Sequence, residues 1–357
     1  MQIVNDTKAS VDTVLWEDLK GQPKLSVIVK FTFDIEKGKP AISSRQLPVF
    51  MTDFHYKDDP IASVLFETDR VPFKPFADVV LVGKAHAPGK RPVTEVDVTM
   101  RVGGLKKSIR VFGDRKWFFP TNAAMLPLIS SPDFFLTMDL VYERAFGGMD
   151  EASALFCRQN LLGTGYIGRK SKESLHGKVL PNLEDPKHLI SSWDDHPNPM
   201  GFGFFGRGWF PRLSYAGTYD ERYQRERAPA LPEDFSYLIF NGAHPDLQLK
   251  GYLRGDEEVE LINLSSQPLL HFQLPGISPR IAISKWTVPP AEWIEQNAIE
   301  GREVTIDQVP TTEELVEALL DTLVFAPEDG LFYEVFRAVF PLSELSPLEI
   351  ASIKITT

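Results

Sequence analysis

Cysteine is almost absent from this chain: Cys157 is the single one among 357 residues. An intrachain disulfide is therefore excluded, which fits a reducing compartment. The N-terminus lacks a basic segment followed by an apolar one, as a secretory signal would have. Nor does any apolar run approach the roughly 20 residues that cross a bilayer. We therefore expect a cytoplasmic protein without a membrane partner.

Positive charge is scarce and unevenly placed. Lys and Arg number 38 against 49 Asp and Glu, so the net charge is −11. Residues 287–329 contain eleven acidic residues and one arginine, whereas residues 101–116 are basic. This asymmetry argues against a nucleic-acid partner, which a broad basic surface would favour. It permits charge-steered docking of a protein partner, although two solvated faces explain it equally well.

Alternation of apolar and polar residues predicts a mainly β fold. Residues 24–35, KLSVIVKFTFDI, predict a half-buried strand. Further predicted strands lie in the segments IASVLFET, ADVVLVGKAH, FSYLIFNGAH, LKGYLR, EEVELINLS and LLHFQLPG. The segment TTEELVEALL, residues 311–320, predicts a short acidic helix that Thr311 caps and Glu314 completes as a capping box. A hairpin is predicted across residues 327–330.

The clearest local element is the hairpin at Gly103 and Gly104. A two-residue glycine loop suits a primed turn, which requires positive φ. Counting outward from it places Val98 opposite Ile109 and Arg101 opposite Lys106. Because like charges opposite each other repel, we expect this tip to face water or an acidic surface.

The strand pattern predicts two β-rich lobes with sandwich- or barrel-like antiparallel sheets, at residues 1–156 and 233–357. Residues 157–232 are rich in proline, glycine and aromatic residues and show no sustained period. A long irregular region of this kind inside a compact chain is often functional.

The stretch GFGFFG, residues 201–206, has the spacing of a dinucleotide-binding fingerprint. That fingerprint follows a strand and opens a helix, so that helical amides meet the pyrophosphate. Here a proline-rich turn precedes it, and Pro211 follows soon after. We therefore predict no nucleotide cofactor.

A metal site is the second chemical hypothesis. Asp194, Asp195 and His196 are adjacent, and His244 and Asp246 offer further ligands. Carboxylate and imidazole groups bind Zn, Mn or Fe(II), but no recognised spacing supports such a site. Asp-Asp-His before prolines is also typical of turns. With no nucleophile elbow either, we expect a chain that is not an enzyme and carries no cofactor or metal.

Four clusters combine glycine, aromatic residues and arginine: GDRKW, YERAFGG, GFGFFGRGWFPR and GTYDERYQRERAP. They either lock irregular loops or anchor a protein partner. Arg144, Arg207, Trp209 and Arg212 are expected to be largely buried or packed at loop junctions. Arg101, Lys106 and Lys107 are expected to be exposed. The full set of partner-binding or loop-locking candidates is Arg101, Lys106, Lys107, Arg144, Arg207, Trp209, Arg212, Tyr219 and Asp220.

In this order, the clusters resemble the bacterial family DUF2169. The similarity covers roughly residues 59–342 and includes ETDRVPFKPFADVVLVGKAHAP, VGGLKKSIRVFGDRKW, YERAFGG, PNLEDP, GFGFFGRGWFPR, GTYDERY and RAPALPEDFSYLIFNGAHPDLQ. The segment AHPDLQ, residues 243–248, departs from the family pattern, which weakens any role assigned to that loop.

The resemblance implies a role in type VI secretion. Members look like cytoplasmic adaptors or chaperones that load a toxic effector bearing a PAAR-type tip domain onto the secretion spike. The spike protein is then a second partner, and the glycines of GFGFFG serve close packing. Two alternatives stay open: a metal-dependent hydrolase using Asp194, Asp195 and His196, and a structural component of the secretion particle.

Overall fold

A computed structural model describes residues 2–36, 39–121, 126–286, 311–343 and 350–357. The first strands are β1 (Gln2–Asn5), β2 (Ser10–Glu17), β3 (Pro23–Glu36), β4 (Lys39–Ile42), β5 (Phe54–His55), β6 (Val64–Phe66), β7 (Phe76–Leu81), β8 (Lys84–His86) and β9 (Glu95–Val102). They are followed by β10 (Leu105–Phe112), β11 (Trp117–Phe118), β12 (Leu128–Ile129), β13 (Thr137–Asp139), β14 (Phe146–Gly147), β15 (Met149–Asp150), β16 (Leu155–Phe156), β17 (Thr164–Gly165) and β18 (Leu183–Glu184). The remaining strands are β19 (Gln248–Lys250), β20 (Glu258–Ile262), β21 (Leu269–Gln273), β22 (Arg280–Trp286), β23 (Thr311–Glu317), β24 (Leu319–Ala326), β25 (Leu331–Pro341) and β26 (Ile350–Thr356).

Helices are short and lie mostly in the connections. Within the described residues, two are α-helical, α1 (Lys172–Leu175) and α2 (Glu221–Glu226). The 3₁₀ helices of the described chain are Tyr56–Asp58, Pro88–Lys90, Tyr142–Arg144, Arg212–Ala216, Tyr237–Phe240, Pro245–Leu247 and Pro327–Asp329. The predicted mainly β fold is confirmed. No described helix is long and apolar enough to cross a membrane.

The largest sheet has seven strands in the order β19-β7-β24-β25-β3-β2, with β4 also paired to β3. The predicted hairpin of β24 and β25 across residues 327–330 is confirmed. Strand β7 pairs with β24 in parallel. The sheet is therefore mixed rather than purely antiparallel. Parallel pairing needs a long connection, and strands that are distant in sequence, such as β7 and β24, have one.

A five-stranded sheet has the order β18-β10-β9-β20-β21. The predicted hairpin register is confirmed, with Val98 opposite Ile109 and Arg101 opposite Lys106. The acidic neighbour expected at the tip is Glu260 of β20, which forms an ion pair with Arg101 at 3.2 Å. It offsets the repulsion between Arg101 and Lys106.

The two large sheets pack face to face through aromatic side chains. Phe272 of β21 stacks on Phe332 of β25, with ring centroids 5.4 Å apart, and contacts Phe325 of β24 edge-on. Both sheets combine strands from residues 1–156 with strands from residues 233–357. Each sheet therefore contains strands from both predicted lobes, and the division of the chain into lobes at residues 1–156 and 233–357 stays a prediction.

Strand β3 is buried on both faces, so the prediction of a half-buried strand was wrong. The apolar face, including Phe31 and Phe33, is buried as expected, but Lys30 of the polar face is equally buried. Its ammonium forms an ion pair with Asp69 at 2.8 Å and lies 3.3 Å from the centre of the Phe50 ring. The segment that follows β4 covers this face of the sheet and supplies the opposite charge.

The predicted acidic helix at residues 311–320 was also wrong. Residues Thr311–Glu317 form β23, which pairs with β22 in a four-stranded sheet of order β1-β26-β22-β23. Pairing with a strand outweighs the local capping signal, since tertiary contacts override weak propensities. Residues 287–310 of the predicted acidic window lie outside the described residues. The predicted strand in FSYLIF is instead the 3₁₀ helix Tyr237–Phe240.

Residues 157–232 contain only two-residue strands and short helices, as their composition predicted. A second, smaller core underlies part of this region. It consists of Trp117, Phe146, Cys157, Ile167, Leu175, Leu180 and Ile190. Short segments from residues 117 to 193 are thereby held in place without long regular elements.

Candidate functional site

A surface cleft of about 920 Å³ lies among the connections beside this smaller core. Its walls come from residues 56–62, 114–116, 130–133, 139–144, 162–164 and 179–182. Several of these segments belong to the clusters GDRKW and YERAFGG and to the motif PNLEDP. The cleft therefore unites motifs that are far apart in the chain.

Asp114, Arg144 and Asn182 form a hydrogen-bonded triangle in the cleft wall. Arg144 lies 3.4 Å from the Asp114 carboxylate and donates to Oδ1 of Asn182 at 3.0 Å. The Asn182 amide donates to Oδ1 of Asp114 at 2.9 Å. The Arg144 side chain is 36% exposed, so this triangle orients a cation that still faces the cleft.

Arg115 lines the cleft with only a small part of its surface and is almost fully buried. Its guanidinium forms an ion pair with Glu184, donates to the Pro181 carbonyl at 2.9 Å, and lies 3.7 Å from the centre of the Phe112 ring. Burial raises the pKa of Glu184 even though the guanidinium acts in the opposite direction. The pair fixes the wall that carries Asp114 and Lys116.

Another part of the cleft lining is acidic. Glu143 accepts hydrogen bonds at 2.7 Å from both the amide and the hydroxyl of Ser63. Burial, together with the nearby carboxylates of Glu143 and Asp139, raises the pKa of the Tyr56 phenol. The phenol is therefore neutral, and its ring lines the cleft beside two negative charges.

Lys107 does not lie on the surface, and the prediction that it is exposed was wrong. It is buried, and its ammonium contacts Asp246 at 2.7 Å and Nδ1 of His244 at 3.0 Å. Alternation along β10 turns Lys107 to the buried face of the strand, where His244 and Asp246 of the segment just before β19 contact it. Burial and the Lys107 charge lower the pKa of His244 to about 3, so that His244 is neutral. Arg101 and Lys106 are exposed as predicted.

The arginines and tryptophan of GFGFFGRGWFPR lock loops together. Trp209 and Arg212 are buried, as predicted. The Trp209 ring packs edge-on against Tyr142 with centroids 5.1 Å apart. Arg207 is 39% exposed and contacts Glu67 at 2.9 Å, close to where Arg212 reaches the same carboxylate.

The glycines of GFGFFG serve close packing at two of three positions. A Cβ atom at Gly201 would lie 2.7 Å from the Tyr142 ring, and one at Gly206 would lie 2.7 Å from the Trp209 ring. Gly203 has open space around it. Aromatic rings, rather than a phosphate, therefore account for the first and third glycines.

The proposed metal ligands occupy other roles. Asp195 accepts hydrogen bonds from the amide and hydroxyl of Ser191 at 2.8 and 3.1 Å. His196 stacks on the Tyr166 ring with centroids 5.1 Å apart. Within the described ranges, no group of three His, Cys, Asp or Glu side chains is placed to hold a metal ion.

Tyr219 and Asp220 lie away from the cleft, at the start of α2. Tyr219 is 51% exposed and meets the Tyr223 ring at 4.8 Å. The Asp220 carboxylate caps α2 by accepting from the Tyr223 amide at 2.8 Å. A partner-binding role for either residue stays a prediction.

Of the residues that the sequence singled out, only Arg144 lines the large cleft. Asp114, Asn182, Glu143 and Asp139 were missed as individual residues. The signal for three of them was present, since they lie inside the motifs GDRKW, PNLEDP and YERAFGG. Asp139 lies in none of these motifs. Its place at the cleft depends on the pairing of β13 with β8.

Fold and site together define a mainly β protein with a polar cleft built by several short sequence motifs. A family model matches residues 20–337: that of DUF2169, described as an uncharacterized protein conserved in bacteria. The chain therefore belongs to the family DUF2169. The match begins at residue 20, earlier than the resemblance at residues 59–342 suggested. Comparison with curated proteins and with solved structures found no match.

Proposed function

We propose that this protein is a non-enzymatic adaptor. It binds a PAAR-containing toxic effector in the bacterial cytoplasm and helps to load it onto the type VI secretion spike. The observation that supports this proposal is the cleft, because family motifs from distant parts of the chain meet at its walls.

The charged residues that line the cleft suit a protein partner. Its volume of about 920 Å³ suits either a protein segment or a small metabolite. Five of the nineteen residues that line it are aliphatic: Ile61, Ala62, Val141, Leu162 and Val179. Charged side chains of both signs make up most of the rest, as in the polar rim of a protein interface.

The cleft is also preorganised for binding. Hydrogen bonds with Asn182 and Ser63 already hold Arg144, Asp114 and Glu143 in position. A partner that docks here therefore loses little free energy in ordering these side chains. The charged groups then supply specificity and faster association more than raw affinity.

Co-expression with the PAAR-containing effector encoded beside this chain tests the proposal. We expect the effector to copurify with the protein, to be degraded faster in its absence, and to fail to be secreted without it. An effector that neither copurifies nor depends on this protein for stability and secretion would overturn the adaptor function.

Sheared, assembled secretion particles separate the adaptor from a structural component. A transient adaptor is expected to be absent from these particles, or present far below the spike protein. Recovery in a fixed ratio to the spike would instead show a structural component.

A further inference from the structure

The large cleft continues into a second cleft of about 510 Å³. Thr164 and Val179 line both of them, so the two form one groove. The wall of the second cleft contains four glycines: Gly147, Gly163, Gly165 and Gly177. Gly177 has open space around it, so a partner chain can approach the backbone closely there. A Cβ atom at Gly147, Gly163 or Gly165 would instead meet atoms of this chain, so these three glycines serve internal packing.

Exposed apolar side chains follow the same groove. Val179, at the junction, is 47% exposed, and Met149 of the second cleft is 52% exposed. Met149 lies on β15 opposite Phe156 of β16, which is 50% exposed. Contiguous exposed apolar groups with a charged surround are typical of interaction sites.

The groove is negatively charged. Seven carboxylates line it against five cations. Among the cations Arg115 is bound to Glu184 outside the lining, and among the carboxylates Asp150 is buried and accepts from the hydroxyls of Ser153 and Ser174. Arg144 is paired with Asp114. Asp133 is exposed, and the pair between Asp139 and Lys84 at 3.3 Å is about half exposed, so solvent screens it.

The large cleft also provides an aromatic wall for a cation. The Tyr56 ring lines it together with Asp139 and Glu143. A neutral aromatic ring beside carboxylates favours ammonium and guanidinium groups through cation–π attraction and direct charge pairing. The apolar end of the groove, at Val179 and Met149, has no such preference.

We propose that this groove binds a segment of the effector that combines basic with apolar side chains. The basic side chains enter the large cleft beside Tyr56, Asp133 and Asp139, and the apolar side chains cover Val179 and Met149. This inference rests on the proposed adaptor function and specifies the chemistry of the bound segment.

Groove variants in the co-expression experiment test it. The double variant Asp133→Lys with Asp139→Lys reverses charge in the large cleft, and Met149→Ser removes apolar surface in the second. Matched controls outside the groove are Asp256→Lys, whose carboxylate is 49% exposed, and Leu269→Ser, whose side chain is 54% exposed. We expect effector recovery to fall about tenfold for the groove variants and to stay unchanged for the controls, with equal melting temperatures throughout.

Peptide probes separate this inference from the adaptor function. The probes are fluorescent nonapeptides that alternate leucine with lysine, or leucine with glutamate, and their binding to the full chain is measured by anisotropy. We expect the lysine peptide to bind the wild-type protein more tightly, and the charge reversal to invert that preference.

Each outcome bears on one of the two proposals. If the effector copurifies equally with wild-type and groove variants, the groove inference is wrong and the adaptor function stands. If it does not copurify with the wild-type protein, the adaptor function fails, and the peptides alone decide whether the groove binds basic segments. If the charge reversal leaves the affinity for the lysine peptide unchanged, the groove inference is wrong in either case.

Discussion

The guanidinium of Arg212 donates to Oε1 of Glu67 at 2.7 Å, and both side chains are only 4% exposed. The pair links the loop GFGFFGRGWFPR to the segment after β6, which is 145 residues earlier in the chain. Arg212 also donates to the carbonyls of Phe205 and Ile239. A single buried arginine therefore holds three backbone segments together.

Replacing Arg212 with alanine is expected to lower the free energy of unfolding by about 3 kcal/mol, because Glu67 loses its buried partner. Urea denaturation measures the change. Arg222→Ala is the control, since its pair with Glu226 is exposed and contributes less than about 0.5 kcal/mol. Equal stability of the two variants would show that the Arg212 pair contributes no more than a surface pair.

Replacing Trp209 with alanine is expected to destabilise the protein by about 3–5 kcal/mol, since the ring is buried against Tyr142 and Phe205. Thermal denaturation checks the result. Tyr219→Ala, at a half-exposed ring, is expected to change stability much less. An unchanged melting temperature for the Trp209 variant would contradict the packing role of this loop.

The hairpin at Gly103 and Gly104 shows what local sequence can specify. Gly103 and Gly104 fix both the turn and the register, so that every pair from Val98 to Ile109 follows by counting. Burial of Lys30 and Lys107 could not be predicted in this way. Their partners, Asp69 and Asp246, are 39 and 139 residues away along the chain. Likewise, residues 311–317 form a strand rather than the predicted helix because they pair with β22.

The buried carboxyl of Glu334 is expected to make the stability of the protein depend on pH. Glu334 lies on β25 between Phe31 and Leu323, and neither carboxylate oxygen has a hydrogen-bond partner among the described residues. Burial, with a smaller effect from Glu257, raises the pKa of Glu334 from 4.5 to about 8. Between about pH 4.5 and 8, Glu334 is therefore protonated in the folded protein and ionised in the unfolded chain. The free energy of unfolding falls as the pH rises through this range.

Glu334→Gln tests this directly because the amide does not titrate. We expect the stability of the variant relative to wild type to increase by a few kcal/mol between about pH 4.5 and pH 8, measured by urea denaturation at a series of pH values. Glu334→Leu is a second variant that removes the buried polar group, and it is expected to be the more stable of the two. Parallel pH profiles for wild type and Glu334→Gln would mean that Glu334 is paired or solvated.

The candidate site was only partly predictable for the same physical reason as the fold. The motifs that contain Asp114, Arg144 and Asn182 are visible in the sequence, but their convergence depends on contacts between connections. Glycine clusters were better signals than charges. Gly201 and Gly206 mark close ring packing, whereas the basic run at residues 101–116 includes both exposed Lys106 and buried Lys107.

The last prediction distinguishes two charged surfaces that are available to the effector, the hairpin tip and the cleft. Arg144→Ala is expected to weaken effector binding by about 2 kcal/mol or more if the cleft is the site, because Asp114 and Asn182 lose the partner that orients them in the cleft wall. Arg101→Ala is the matched control: its side chain is 44% exposed and paired with Glu260, much as Arg144 is 36% exposed and paired with Asp114. Both pairs are open to solvent, so each substitution is expected to cost less than about 1 kcal/mol of stability.

Binding to surface-immobilised effector, followed over time at several salt concentrations, gives the association rate and the dissociation rate. Raising salt is expected to slow association more than it speeds dissociation, and the Arg144 variant is expected to differ from wild type mainly in dissociation. Stronger loss of binding for Arg101→Ala would place the interface on the hairpin tip and remove the cleft from the proposed function.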